Sequence, residues 1–179
     1  MGSLIYRRLD PSEFERIGDI DRTEHIRVGY RIENGRLSAR DVVWDSPPWT
    51  PDGPEHSVSS MVKALRDAHA QGGSVLAAFD GERLVGVAAF RPYLTKTMGQ
   101  LALLHVSHGY RRQGIASHLC MDIEGLARAS GATHLYVSAT ASESAVGFYR
   151  SRGFEVTSTP DPDLYRLEPE DIHMIQSLH

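Results

Sequence analysis

Cysteine is almost missing from this 179-residue chain. Cys120 stands alone, so no disulfide can form within it. That scarcity fits a reducing compartment. Cys120 also falls on the apolar side of a helical pattern beside Leu119, the setting of a buried structural thiol rather than a nucleophile. No apolar run approaches the roughly 20 residues that span a bilayer, and residues 1–11 hold no signal-peptide hydrophobic region. The expectation is a soluble, cytoplasmic protein without a membrane partner. Excess positive charge is missing too. A net charge of -4 speaks against nucleic acid, whose phosphates need a basic surface, and is compatible with cationic amines. The chain has neither a P-loop lysine motif nor G-x-G-x-x-G, which deprives a mononucleotide- or dinucleotide-binding reading of its motifs. Repeats and low-complexity tracts are absent as well.

What is present suits one globular domain, 1–179, with 41% hydrophobic residues. Residues 3–9 predict a strand. Asp10, Pro11, Ser12 and Glu13 then open a helix to about Ile20, with proline and acids in the early positions that favour them. Residues 27–32 and 37–44 flank Asn34-Gly35, the strongest short signal for a hairpin. Residues 45–54 carry four prolines and predict an irregular loop. Residues 55–71 predict a helix on the spacing of Val58, Met61, Val62 and Leu65, ending at Gly72-Gly73. A second hairpin joins 74–79 to 83–91 around Gly81, and a third strand follows from Gly99, an antiparallel meander. After residue 130 the pattern predicts a strand at 134–140, a helix carrying Phe148-Tyr149, and a strand from Phe154. A proline-rich connection at 160–169 and a last strand near 173–178 complete it. Alternating strands and helices with hairpins indicate an α/β domain with a mixed sheet.

The most informative run is Tyr110-Arg111-Arg112-Gln113-Gly114-Ile115-Ala116. It lies between 101–107 (LALLHVS), an apolar stretch suited to a strand buried on both faces, and a helix with apolar residues at Ile115, Leu119, Ile123, Leu126 and Ala127. The first turn of a helix offers unpaired N–H groups and the positive end of the peptide dipole, a place for an anion. Gly114 and Ala116 keep side chains out of the way, and Arg111 and Arg112 can add charge-assisted bonds to phosphate oxygens. An ordinary glycine-containing turn with two solvated arginines is the plainer alternative.

A second cluster, Ser142 to Phe154 (SESAVGFYRSRGF), follows the 134–140 strand. Together the two segments, R-x-x-G-x-A opening a helix and A-x-x-F-Y-x-x-x-G-F after the next strand, resemble the GNAT superfamily of acyl-CoA-dependent N-acetyltransferases. The resemblance is sharp over about 99–155. It implies a mixed, mostly antiparallel sheet with helices on both faces, whose central parallel pair, here 101–107 and 134–140, splays to admit the pantetheine arm of acetyl-CoA. It assigns the cofactor to Val106, Arg111, Arg112, Gln113, Gly114, Ile115, Ala116, Ser117, Ser142 and Tyr149, with no metal. Ser142 departs from the pattern, standing where many members carry an asparagine with a longer reach.

Amide formation needs a neutral amine, stabilisation of an oxyanion and often a proton for the departing thiolate. The resemblance gives the proton to Tyr149, a phenol protonated near neutrality; the alternative is an aromatic core residue beside Phe148. A backbone N–H near Val106 is the expected oxyanion donor. For the base, the position occupied by a glutamate in the histone-acetylating branch is Gln100 here, which cannot serve. His105 has a suitable ordinary pKa, though a histidine packed within the sheet explains it as well. Glu143 fits a capping box begun at Thr140. Gly153 and Phe154 fit a helix C-terminus.

Glu24 and His25 are further candidates for the base, and a base acting through water, or none, is the alternative. Acceptor selection is expected in 21–56, with Glu24, Tyr30 and Trp44 as contacts beside Trp49, Asp21, Asp45 and Asp52, a mixture suited to a cationic or aromatic amine. The expected partner is a small-molecule or peptide amine, with the protein a monomer or homodimer. A catalytically silent acyl-CoA sensor of the same fold is the alternative.

Overall fold

The computed structural model describes residues 3–179. Strand β1 (Ile5–Arg8) leads into a 3-10 helix, Pro11–Asp19. Asp10 accepts from the Ser12 N–H and Glu13 reaches back to the Asp10 N–H, a reciprocal cap with proline where a missing N–H costs nothing. Glu13 also takes two bonds from Arg7, at 2.7 and 2.8 Å, and these push its carboxyl down to about 2.

Asn34 and Gly35, both at positive φ (50° and 75°), turn β2 (Glu24–Glu33) into β3 (Arg36–Ser46). This hairpin forms a separate two-stranded sheet. It docks where the Tyr30 N–H donates to Ala141 O at 2.9 Å. Helix α1 (Val58–Ala70) starts later than its spacing predicted, because Ser57 rather than Glu55 caps it: Ser57 Oγ accepts from the Ser60 N–H at 3.0 Å.

The meander follows as expected in β4 (Ser74–Asp80), β5 (Arg83–Thr95) and β6 (Met98–Val106). Next come α2 (Ile115–Ala129), β7 (His134–Ala139), α3 (Glu143–Ser151) and β8 (Glu155–Val156). The proline-rich connection holds a short helix, α4 (Pro162–Leu167), before β9 (Ile172–Ser177). Seven strands pair in the order β1-β4-β5-β6-β7-β9-β8. Only β6 and β7 are parallel neighbours, and they pair only at Met98, Gly99 and Gln100 against His134, Leu135 and Tyr136.

The cause of that short pairing is visible on the other edge of β6. Phe90 faces Leu101 while the next residue back, Ala89, faces Leu103, so Ala102 is an extra residue on β6. Such a bulge bends a strand and ends pairing. Beyond it β6 and β7 part, which is the splay that the resemblance implied. The bulge also corrects the prediction of burial on both faces, since Ala102 is exposed and 104–106 are half-buried.

Side chains of β4 and β5 alternate between two cores. One packs Leu76, Ala78, Val85 and Ala88 against Ile115, Leu119 and Ile123 of α2 and Val146 and Tyr149 of α3. The other packs Val75, Ala77, Leu84 and Val87 against Phe14 and Ile17 of the 3-10 helix and Val62 and Leu65 of α1. Helices therefore cover both faces. Gly86 lets α2 lie close on β5, because a Cβ there would stand 2.6 Å from Ile115 Cγ2.

Candidate functional site

The loop between β6 and α2 ends on Gly114, the N-cap of α2, at φ 84° and with no side chain closing the helix. The space where a Cβ would lie is open. Arg112 also has positive φ, 62°, and is exposed with Gln113, whose amide donates to Gly109 O at 3.2 Å. Ile115 is buried against the sheet, so the first turn cannot slide, while Ala116 and Ser117 are half-buried. An uncapped, fixed helix N-terminus suits a diphosphate.

Arg111 turns elsewhere. Its Nε donates to Val106 O at 3.2 Å, Nη2 donates to Arg22 O at 3.4 Å, and Nη1 lies 3.3 Å from Glu24 Oε2. The guanidinium, expected on phosphate, instead clips the end of β6 to the segment before β2. Three further bonds join the same segments. The Asp21 N–H donates to Ser107 Oγ (2.9 Å), the His108 N–H donates to Asp21 O (2.8 Å), and His108 Nδ1 donates to Thr23 O (2.9 Å).

The Ser107 N–H donates to Val85 O of β5. Since successive residues of a strand point their N–H groups to opposite sides, the Val106 N–H points away from β5, toward the side where β7 has parted. Val106 is thus placed as a backbone donor at the mouth of the splay.

Helix α3 borders the same opening. Ser142, 2% exposed, is its N-cap and accepts from the Ala145 N–H at 3.3 Å. Glu143 is therefore the first helical residue, which corrects the capping box read from Thr140. At the other end, the Gly153 N–H bonds Arg150 O and the Phe154 N–H bonds Tyr149 O, both at 3.0 Å, with Gly153 at φ 85°. These are the paired bonds of a Schellman ending. Phe154 also packs on the Tyr149 ring, centroids 5.3 Å apart, and Phe148 sits against its other side at 5.2 Å. The Gly-Phe pair thus fixes Tyr149 as well as ending the helix. Burial, and then the nearby Cys120 and Asp171, push the phenol above its ordinary value, so it stays protonated at neutral pH.

On the opposite face, His105 points toward the 3-10 helix side. Trp49 meets it edge-on at 5.2 Å between ring centroids, and the Arg22 guanidinium lies 4.7 Å over the Trp49 ring. Burial first, then Arg22, Arg111 and His56, push His105 down to about 4, leaving it neutral. Trp49 rather than Trp44 occupies this place. Trp44 sits on β3 opposite Ile26, partly exposed, and Tyr30 lines a cavity of about 520 Å³ with Arg36, Arg150 and Met174. Of the three expected acceptor contacts only Glu24 reaches this cluster, through Arg111. Of the other acids, Asp21 accepts from the Thr23 N–H and hydroxyl, and Asp45 from His25 and Arg27.

Sequence reasoning missed Arg22 and Asp171, and it named Trp49 only as a neighbour of the expected acceptor contacts. Asp171 precedes β9 and its carboxyl is pushed up to about 6 by burial and then by Glu168. Among the described residues no group of three His, Cys, Asp or Glu could hold a metal ion, and no helix is long and apolar enough to cross a membrane.

The sheet parts beside an uncapped helix N-terminus, with the fixed Tyr149 ring on the helix that follows β7. The profile of the acetyltransferase (GNAT) domain matches residues 46–163, and the chain belongs to that family. Among solved structures it is similar to nourseothricin acetyltransferase (TM-score 0.71, 19% identity, 98% of this chain and 99% of that one covered). It is also similar to the PaiA N-acetyltransferase of Thermoplasma acidophilum in complex with coenzyme A (0.63, 17%, 98% and 99%). A third is aminoglycoside 6'-acetyltransferase type Ii (0.64, 18%, 98% and 97%). These likenesses are of fold. No curated protein matches the chain.

Proposed function

We propose that the protein is an acetyl-CoA-dependent N-acetyltransferase that passes an acetyl group directly to an amine within a ternary complex. The observation that carries this reading is the parting of β6 from β7 after Gln100, beside the uncapped α2. Acetyl-CoA, when bound, supplies an acyl group activated as a thioester. The N–H groups of 113–117 would take its diphosphate, with Arg112 adding charge from the exposed side. Arg111 serves this loop from behind by holding its start to 22–24. Ser142 Oγ accepts from the Ala145 N–H and shares a bond with Ser144 Oγ, which leaves it one hydrogen-bonding position for the pantetheine arm.

The Val106 N–H is the donor for the developing oxyanion, a role that only proline at that position would remove. Tyr149, a phenol that stays protonated at neutral pH, donates its proton to the departing thiolate. His105, held neutral, is free to accept the proton that the amine loses.

Incubation with acetyl-CoA and a panel of amines, followed by free thiol, tests the reading. Tyr149→Phe is expected to lower turnover about a hundredfold or more while acetyl-CoA affinity changes little. Unchanged turnover where chemistry limits the rate would remove Tyr149 from the mechanism. Silence across the panel despite coenzyme A binding would defeat the transferase reading itself.

A further inference from the structure

Resting on that acetyl-transfer reading, we infer that the acceptor amine carries an oxyanion of the carboxylate class, bound by the Arg22 guanidinium with the Trp49 indole N–H as second donor. Arg22 Nη1 and Trp49 Nε1 are both buried and have no hydrogen-bond partner among the described residues. Buried donors left unpaired are costly and rare, and a half-buried cation without a counter-ion is more so. Three carboxylates of 21–56 are already taken. Glu24 pairs with Arg111, Asp21 closes the turn at Thr23, and Asp45 serves His25 and Arg27.

The placement is firm. Residues 21–23 are bonded to the loop that follows β6, and Trp49 adjoins Thr50, which bridges to Ser57 at the cap of α1. A guanidinium stacked on an indole spends its face and leaves its edge N–H groups for a planar oxyanion. The cluster surrounds His105, one residue from Val106, so an anion there would stand beside an amine at the splay. Of the two guanidiniums, Arg111 has Glu24 as its carboxylate partner and Arg22 has none among the described residues. The Trp49 ring lies against both His105 and the Arg22 guanidinium, so its fluorescence reports an oxyanion bound between these donors.

The test uses amino acids against their decarboxylated partners: L-phenylalanine with phenethylamine, L-lysine with cadaverine, L-tyrosine with tyramine. Thiol release from acetyl-CoA gives kcat/KM, and emission in the Trp44→Phe protein reports binding at Trp49. The carboxylate member of a pair is expected to be preferred at least about tenfold. Arg22→Gln should bring that ratio toward one. A ratio at or below one in the unaltered protein overturns the inference and leaves the transferase reading standing. If no amine is acetylated, the transferase reading falls and the emission titration decides alone. A saturable change with the amino acids and none with the amines upholds the oxyanion pocket, and no change with either overturns it.

Discussion

Gly86→Ala tests whether the cradle is positioned from behind. Gly86 lies on β5, and an added Cβ would stand 2.6 Å from Ile115 Cγ2 and 3.3 Å from Leu119 Cδ1. Both neighbours are buried in the core, so neither has open space to yield into. Replacing a strand glycine gains about 0.5–1 kcal/mol in backbone entropy. Overpacking costs about 1–3 kcal/mol. The net expectation is a loss of about 1–2 kcal/mol in urea denaturation. Ile115→Ala alone should cost about 2–5 kcal/mol. In the double variant the new methyl occupies part of the volume that Ile115 vacated, so the losses should fall short of their sum by about 1 kcal/mol. Ile115 is also the first residue of α2. A displaced first turn must be drawn back to bind a diphosphate, and 1–2 kcal/mol spent there is roughly a tenfold loss of coenzyme A affinity by calorimetry. Additive stabilities, together with unchanged affinity in Gly86→Ala, would refute the reasoning.

Asp171 predicts a pH dependence of known sign. Its folded pKa of about 6 exceeds the ordinary unfolded value near 3.9, so the native state binds more protons between them. Stability from this group is fully present below about pH 4 and is lost as pH rises through 6. Asp171→Asn should flatten that part of a denaturation-against-pH curve, and an unchanged slope would show that the carboxyl titrates normally. Glu124, 6% exposed, accepts from Arg152 at 2.7 Å and Gln176 at 3.2 Å. Glu124→Ala strands a guanidinium and should cost on the order of 3 kcal/mol by denaturant titration. Adding Arg152→Met should recover part of it, and a further loss instead would mean the pair is not a unit.

Local features were legible because their causes are local. The Asn34-Gly35 turn, the cap at Asp10 and the Gly153-Phe154 ending each depend on a few neighbouring residues whose chemistry permits little else. The splay was reached only through resemblance. It follows from the register of β6 against β5, and the extra residue at Ala102 has no signature in a run of apolar residues. The acceptor side was least legible. Whether Trp44 or Trp49 meets His105 is decided by the bridge between Thr50 and Ser57, and the orientation of Arg111 is decided by Glu24, far away in sequence. The aromatics and acids of 21–56 do not show in the sequence which acids are already paired, as Glu24, Asp21 and Asp45 are in the fold.

The bonds between 21–23 and the loop after β6 have a thermodynamic consequence. Asp21, Arg22 and Thr23 share four hydrogen bonds with Ser107, His108 and Arg111, so ordering either segment orders the other. A ligand that stiffens one spares the second ligand that conformational cost. Linkage then requires the two affinities to rise together by the same factor, whichever ligand arrives first. The donor and acceptor sites proposed for this chain are in that sense one thermodynamic unit.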